Sequence, residues 1–487
     1  MLGMYIHTHW SYRHPYAART WTLEDWRGYL GALRRLGYDF VMFWPLTDCM
    51  PVELTPSDKA LLEKLGRVIG IAHDEFGMKF YLTAGPNVIG NARASEYTYE
   101  DRPYFVCEWK VNPKAPAEVK RFLDGRRRQL ATLADVDALV IIDSDPGGYI
   151  GSTNEEFVRL AEAQVGILRE RNPRVEFIYW MWFGWEMYNR WWAEMAKPEK
   201  ERRPVEGNDF PVTLALIRER IAEPWSVFVS WKSHIDATGA PDLVAKRLFN
   251  PYGLIEGEPT FPLTNVHPQR IREGLAPYVS APHLYPRGVI ANSQTHCLQL
   301  PGAYYFSHFA RGGGADDTNL AGFADEVLPG SGESVARAWE AISSGEPERL
   351  REAADGLTGQ FDRSRPIGPL SGFLFGDPNR FIADLVWNLT IRCKLVEFQR
   401  RFDESSTEQR RGAVRDLLSV LRPYQQRLGF ADACFGPLVE VLNKRVATLG
   451  DPQVNAALRE FDEWHDLPLR HGCLRRLLDA LAAYAAG

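Results

Sequence analysis

Residues 138–148 read ALVIIDSDPGG. The apolar run Leu139 to Ile142 has the β-branched character of a strand buried on both faces. It ends in Asp143-Ser144-Asp145, and Pro146-Gly147-Gly148 turn the chain at once. A helical stretch at 154–170 follows. A short apolar run, a polar end and then a helix make one βα unit of a parallel sheet. Working outward, the same pattern recurs in both directions. Apolar runs at 3–7, 39–44, 79–84, 138–143, 176–181, 226–231, 252–256 and 288–292 alternate with helical stretches at 23–36, 57–76, 116–133, 154–170, 210–222, 242–248, 268–275 and 298–310. Eight such units in succession predict an α/β chain built as a (β/α)8 TIM barrel. A doubly wound sheet would open with a glycine-rich phosphate loop after its first strand, and THWSYRHPY at 8–16 is not one.

Capping chemistry agrees with the periodicity. Thr22 before LEDW can cap the first helix, Thr55-Pro56-Ser57 fits entry to the second, and Gly37 and Gly77 stand where a helix must stop in a left-handed residue. After Ala310 the pattern changes. Gly312-Gly313-Gly314 and Ala315-Asp316-Asp317 form a loop, and helical periodicity at 381–402, 408–428, 437–449 and 452–485 replaces the alternation. The expected organisation is a catalytic barrel at 1–312 followed by a helical C-terminal domain at 313–487.

A formal charge of -6 without a long basic run argues against a nucleic-acid partner. No run approaches the about 18 apolar residues of a membrane span. The opening MLGMYIHTHW lacks a basic and apolar leader, which predicts a cytoplasmic protein. Cys49, Cys107, Cys297, Cys393, Cys434 and Cys473 lie far apart, as reduced thiols do, with no zinc-type pair. No dinucleotide, Walker, nucleophile-elbow or HExxH motif occurs, so neither cofactor nor metal is expected. Homo-oligomerisation is left open.

A barrel of this kind places its chemistry at the C-terminal ends of its strands. There the sequence sets His7 and His9, Trp44 and Asp48, Asp143 and Asp145, Trp180, Trp182 and Glu186, Trp231, His234 and Asp236, Glu256 and Glu258, and Asn292, Gln294 and His296. Carboxylates in such a setting suit proton transfer, because their surroundings push neighbouring pKa values apart. Asp143 or Asp145 is the expected acid, and Glu256, Glu258 or Asp236 the expected base or nucleophile. The histidines and amides, with Trp44, Asp48 and Glu186, are expected to bind hydroxyls. The 15 tryptophans matter where they cluster, and Trp180, Trp182, Trp185 and Trp231 suggest a stacking wall for sugar faces. His7, His9, Asp143, Asp145, Trp182, Trp231 and His296 are expected to line one cavity.

The segment GYDFVMFWPLTD at 37–48, closing in Trp44-Pro45-Leu46-Thr47-Asp48, resembles the opening of family-20 hexosaminidases, and the barrel as a whole resembles these and α-glucuronidases. The resemblance covers roughly residues 3 to 310. It implies a glycoside hydrolase with its acid after strand four, at Asp143-Ser144-Asp145, and further carboxylates at Asp236 and Glu256 or Glu258. The chain departs from the family-20 His-x-Gly-x-Asp-Glu motif, having Ile141-Ile142-Asp143-Ser144-Asp145-Pro146 in its place. The function expected is exo-hydrolysis of a small acidic or N-acetylated sugar. The alternatives are a metal-dependent hydrolase, lyase or isomerase on the same barrel, and a sugar-binding barrel without catalysis.

Overall fold

The computed structural model describes residues 1–8, 18–256, 266–293, 296–360, 367–402, 406–428, 445–462 and 473–487. Ten strands occur among them: β1 (Leu2–Ile6), β2 (Phe40–Phe43), β3 (Lys79–Ala84), β4 (Val88–Gly90), β5 (Glu108–Lys110), β6 (Ala138–Ile142), β7 (Glu176–Trp180), β8 (Trp225–Val229), β9 (Arg247–Phe249) and β10 (Val289–Ser293). Eight of them close into a parallel barrel in the order β1-β2-β3-β6-β7-β8-β9-β10. The fold is thus the expected TIM barrel, followed by helices. The helices of the βα units are α1 (Leu23–Arg35), α2 (Pro56–Asp74), the short α3 (Tyr104–Cys107), α4 (Pro116–Leu130), α5 (Asn154–Arg169), α6 (Trp185–Met195), α7 (Phe210–Arg220), α8 (Lys232–Ala237), α9 (Pro241–Val244), α10 (Pro268–Ser280) and α11 (Leu300–Ala310).

Local chemistry accounts for these elements. Strands β2, β6, β7 and β8 are buried at every residue, as strands covered on both faces must be. Thr22 and Thr55 form capping boxes with Asp25 and Asp58, each satisfying otherwise orphaned amides. The Asp58 carboxylate is held in turn by Arg102, whose Nη1 lies 2.6 Å from Oδ1. Gly37 and Gly77 adopt φ of 86° and 60° after α1 and α2, as their positions required.

Two elements differ from expectation. The seventh barrel strand is Arg247–Phe249, not 252–256, and only α9 occupies the start of the helix expected at 242–248. A buried arginine in a three-residue strand conceals the strand period. It is tolerated because its Nε donates to Thr238 Oγ1 (2.8 Å) and its Nη2 to the Ile235 carbonyl (2.6 Å). The second difference is the antiparallel hairpin β4–β5, inserted between β3 and α4. Helices do follow the barrel, at Leu320–Val327, Gly332–Ser344, Pro347–Thr358, Pro378–Phe402, Thr407–Leu428, Pro452–Asp462 and Cys473–Ala486. Most of the helix expected at 437–449 lies outside the described residues.

The chain divides into two compact units, one of Met1–Trp10, Gly37–Tyr252 and Gly274–Asn292, the other of Ser11–Leu36, Gly253–Glu273 and Ser293–Gly487. Within the second, Trp21 packs its ring against Tyr29, His296 and Phe375 at 4.8, 4.9 and 4.7 Å. No helix among the described residues is long and apolar enough to cross a membrane.

In the first unit, one buried arginine gathers four segments. Arg126 of α4 donates from Nε to Gln164 Oε1 of α5 (2.9 Å) and from Nη1 to Gln129 Oε1 (2.8 Å). Its Nη2 reaches the Asp48 carboxylate, the Gly85 carbonyl (3.2 Å) and the Val88 carbonyl (2.8 Å). Both ion-pair partners are fully buried. Breaking such a pair from one side leaves an uncompensated buried charge and costs about 3–5 kcal/mol. Arg126→Met is therefore expected to lower the unfolding free energy by about that amount in urea denaturation. A denaturation midpoint equal to the native protein's would show that the pair holds nothing.

Candidate functional site

The site is assembled from strand ends of the first unit. After β1, His7 is half-buried, with its ring 5.4 Å from Tyr5 and 6.4 Å from Trp44. After β2, Trp44 is buried, 6.2 Å from the Trp180 ring, and its Nε1 donates to Asp48 Oδ2 (2.6 Å). Asp48 also accepts from the Gly85 amide (3.0 Å) and from Arg126. Expected to meet substrate, Asp48 is instead a buried structural acceptor.

After β6, Asp143 is fully buried and receives four donors. Ser144 Oγ donates to Oδ1 at 2.7 Å. Tyr179 OH (2.9 Å), the Trp182 amide (3.0 Å) and the Gly184 amide (3.1 Å) all donate to Oδ2. Burial pushes this carboxyl up to about 7, against the pull of those donors, which favour the anion. Asp143 ties the β7–α6 loop to β6. Two residues on, Asp145 is exposed at the rim with φ of 51°, a left-handed conformation that aspartate tolerates. Gly148 follows at φ 84°, where a Cβ would stand 2.7 Å from Asn189 Oδ1 and 3.0 Å from the Tyr188 ring. That close approach lets the Tyr149 amide donate to Asn189 Oδ1 (2.8 Å), docking the Asp145 turn onto α6.

Beside this turn lies a carboxyl that sequence reasoning missed. Alternation along β5 puts Glu108 and Lys110 on one side and Trp109 on the other. Trp109 packs on the apolar cluster of Ile89, Val111, Phe122 and Leu160. Lys110 Nζ, on the opposite side, stands 6.0 Å from the Tyr188 ring and 5.7 Å from the Trp192 ring of α6. Glu108 Oε2 is buried with no hydrogen-bond partner. Burial pushes its carboxyl up to about 7; Lys110 draws it down and the charges of Asp48 and Asp145 raise it further. The available signal was the long β3–α4 connection, on the face where such barrels carry their sites, with acid and base straddling a tryptophan.

Trp180, Trp182 and Trp231 form an aromatic group, Trp182 lying 5.9 Å from Trp180 and 4.7 Å from Trp231. The Nε1 atoms of Trp180 and Trp182 are buried without partners, as are Ser230 Oγ after β8 and Asn250 Nδ2 after β9. Trp185 belongs to the core instead, donating to Ser152 Oγ (2.8 Å) and packing on Phe157. Glu186 is a joint: its Oε1 accepts from the Asn154 amide (2.9 Å) and its own amide donates to Asp209 Oδ2 (2.7 Å).

The remaining expected residues separate. His234 is fully buried. The Ser230 amide donates to its Nδ1 (3.1 Å), so Nε2 carries the proton and donates to the Trp182 carbonyl (3.1 Å). Burial pulls its pKa down to about 4, keeping the ring neutral. Both nitrogens are thus spent within the protein, and His234 is a support rather than a ligand contact. Asp236 is exposed and pairs with Lys232 at 2.6 Å along α8. Asn292 is buried in β10. Glu256 and His296 are buried in the second unit, where His296 Nδ1 lies 2.8 Å from Tyr29 OH. His9, Glu258 and Gln294 lie outside the described residues.

No known family profile matches the chain, and no curated protein matches it either. Among solved structures, it is similar to a GH138 enzyme targeting pectin rhamnogalacturonan II, at 8% identity over 87% of this chain with a TM-score of 0.48. This chain spans 62% of that one. It is also similar to a glycoside hydrolase family 20 β-N-acetylglucosaminidase, at 11% identity over 66% of this chain and 71% of that one, TM-score 0.38. A third similar structure is PhdJ bound to a substrate intermediate, at 11% identity over 80% and 94%, TM-score 0.31. The structural neighbours thus include glycoside hydrolases, among them one of the family-20 kind that the sequence resembles; the likeness is one of fold.

The hydrogen bonds of Asp143 distinguish anchor from acid. Asp143→Ala takes the shared acceptor away from the buried Tyr179 phenol and from two backbone amides, and is expected to destabilise by about 2–4 kcal/mol. Asp143→Asn keeps an oxygen for those three donors and turns its amide toward Ser144 Oγ, so most of the stability should return. Equal denaturation midpoints for the alanine variant and the native protein would remove the anchoring role.

Proposed function

We propose that this chain is a glycosidase that removes an acidic or N-acetylated terminal sugar by carboxylate acid–base catalysis. The observation that carries the proposal is the neighbouring of two unlike carboxyls, half-buried Glu108 and exposed Asp145, at the C-terminal end of the barrel. At the ends of β7, β8 and β9 in the same unit stand indole, hydroxyl and amide groups with unfilled hydrogen-bonding capacity, which a sugar's hydroxyls would fill.

Glycoside hydrolysis needs a protonated acid for the leaving oxygen and an ionised carboxylate for the sugar. Glu108, with a carboxyl pushed up to about 7, is the acid. It gives its proton to the glycosidic oxygen as the bond to the anomeric carbon breaks. Asp145, at the open rim, is the carboxylate that takes the proton of the attacking water or itself adds to the anomeric carbon. Asp143 supports the loop bearing Trp182, and Trp182 and Trp231 present faces suited to the apolar side of a sugar ring.

The test is a panel of aryl glycosides, including glucuronides and hexosaminides, assayed with chelator present so that a metal-dependent reaction is separated. Glu108→Gln and Asp145→Asn are each expected to lower kcat by roughly 10²-fold or more, with unchanged melting temperatures. Because the active acid is the protonated form, kcat/KM should be full below pH about 7 and fall as pH rises through it. Glu108→Gln should lack that alkaline limb. Undiminished turnover of a poor leaving group in both variants would remove the pair from the chemistry.

A further inference from the structure

The rim beside Glu108 continues into a strip of aromatic rings that the proposed bond cleavage does not use. The Phe183 ring lies 6.0 Å from that of Tyr188 with planes 9° apart, and Tyr188 lies 6.2 Å from Trp191 at 20°. Trp192 closes the strip, 4.8 Å from Trp191 and 6.0 Å from Tyr188. Tyr188 is buried beneath its neighbours, whereas Phe183, Trp191 and Trp192 are 41%, 41% and 40% exposed. These large rings open to water, on consecutive turns of α6 and the loop before it, form an apolar surface that a soluble chain does not keep without use.

Lys110 decides what the strip is for. Its half-buried ammonium sits over the Tyr188 and Trp192 rings and makes no close ion pair among the described residues, Glu108 acting on it only as a more distant charge. A helix or a second copy of this chain laid over the strip would bury that charge with no counter-charge but Glu108, which as the proposed acid is protonated. A ligand that is flat and apolar on one face, and carries a carboxylate at its edge, satisfies rings and ammonium together. A uronate residue has that form.

We propose that Phe183, Tyr188, Trp191 and Trp192, with Lys110 among them, bind a carboxylated sugar chain on the leaving-group side of the cleaved bond. The side follows from Glu108. It shares one side of β5 with Lys110, and as the acid it faces the leaving oxygen, so the sugars beyond that oxygen run along the strip. The inference rests on the glycosidase proposal and extends it from a terminal sugar to the chain that carries it.

Binding is measured apart from turnover, by affinity electrophoresis of the full chain in gels containing polygalacturonate, alginate or neutral hydroxyethyl cellulose. Retardation is expected in the two carboxylated polymers and little in the neutral one. Lys110→Met and the double variant Trp191→Ala/Trp192→Ala should each weaken it by about tenfold or more, with unchanged far-ultraviolet dichroism. Retardation that both variants retain would overturn the proposal, as would equal retention of the native protein by the neutral polymer. So would sedimentation showing a native dimer that Trp191→Ala/Trp192→Ala dissolves, since the strip would then be a protein interface. If the polymers are bound as expected but no glycoside is cleaved, the binding strip stands and the hydrolase assignment falls.

Discussion

The guanidinium of Arg126 is the contact on which the geometry of the proposed site depends. An arginine wholly removed from water must spend its donors, and here they go to side chains and carbonyls that belong to separate segments. Asp48 and Gly85 hold the loops that leave β2 and β3. The Val88 carbonyl fixes the first strand of the inserted hairpin, and the hairpin's register pairs Gly90 with Glu108. The two glutamines carry the arrangement outward, Gln129 donating to the Thr47 carbonyl (3.0 Å) and Gln164 to the Pro86 carbonyl (3.0 Å). A buried ion pair adds little net stability over a well-packed apolar substitute. What this one supplies is position: loops that would otherwise be independent are referred to one rigid fork, and Glu108 is placed through it.

The barrel was legible in the sequence because its strands are buried on both faces and so read as unbroken apolar runs. Helices α1 and α2 announced themselves through Thr22 and Thr55 and ended at Gly37 and Gly77. Legibility failed where satisfaction of a polar group depends on distant partners. Arg247 reads as a surface residue until Thr238 and the Ile235 carbonyl are seen to absorb it, so β9 was sought five residues too late. The hairpin strands β4 and β5 are three residues each, too short to show a period, and Glu108 disappeared with them.

For the candidate site, position along a strand end identified polar residues but not which of them retain free chemistry. Asp48, Asp143 and His234 all stand where a barrel enzyme keeps its machinery. All three are completely buried, and all three have their polar atoms engaged by the protein itself. They hold Trp44, the 182–184 segment and the β8–α8 turn in place. A sequence lists such supports and the residues they support with equal weight, since both are polar residues at strand ends. Only the hydrogen-bond inventory separates them.

That inventory also explains why two carboxyls shifted by the same cause are suited to different work. Burial pushes both Asp143 and Glu108 up to about 7. Around Asp143 every donor points inward, so a proton placed there would compete with Tyr179, Ser144 or a backbone amide for a lone pair. Releasing it would gain nothing for a substrate that cannot approach a fully covered group. Glu108 is half-buried and its Oε2 has no internal donor. The proton that burial favours there is opposed by no hydrogen bond, and the lone pair left behind after transfer is disfavoured by Asp145 and Asp48 but eased by Lys110. A general acid needs that balance: a proton held by the environment rather than by a partner, and a nearby cation to accept the charge that departure creates. Lys110 would thereby serve both the proposed acid and the proposed sugar carboxylate from one side of β5, which ties the proposed cleavage site to the strip beside it.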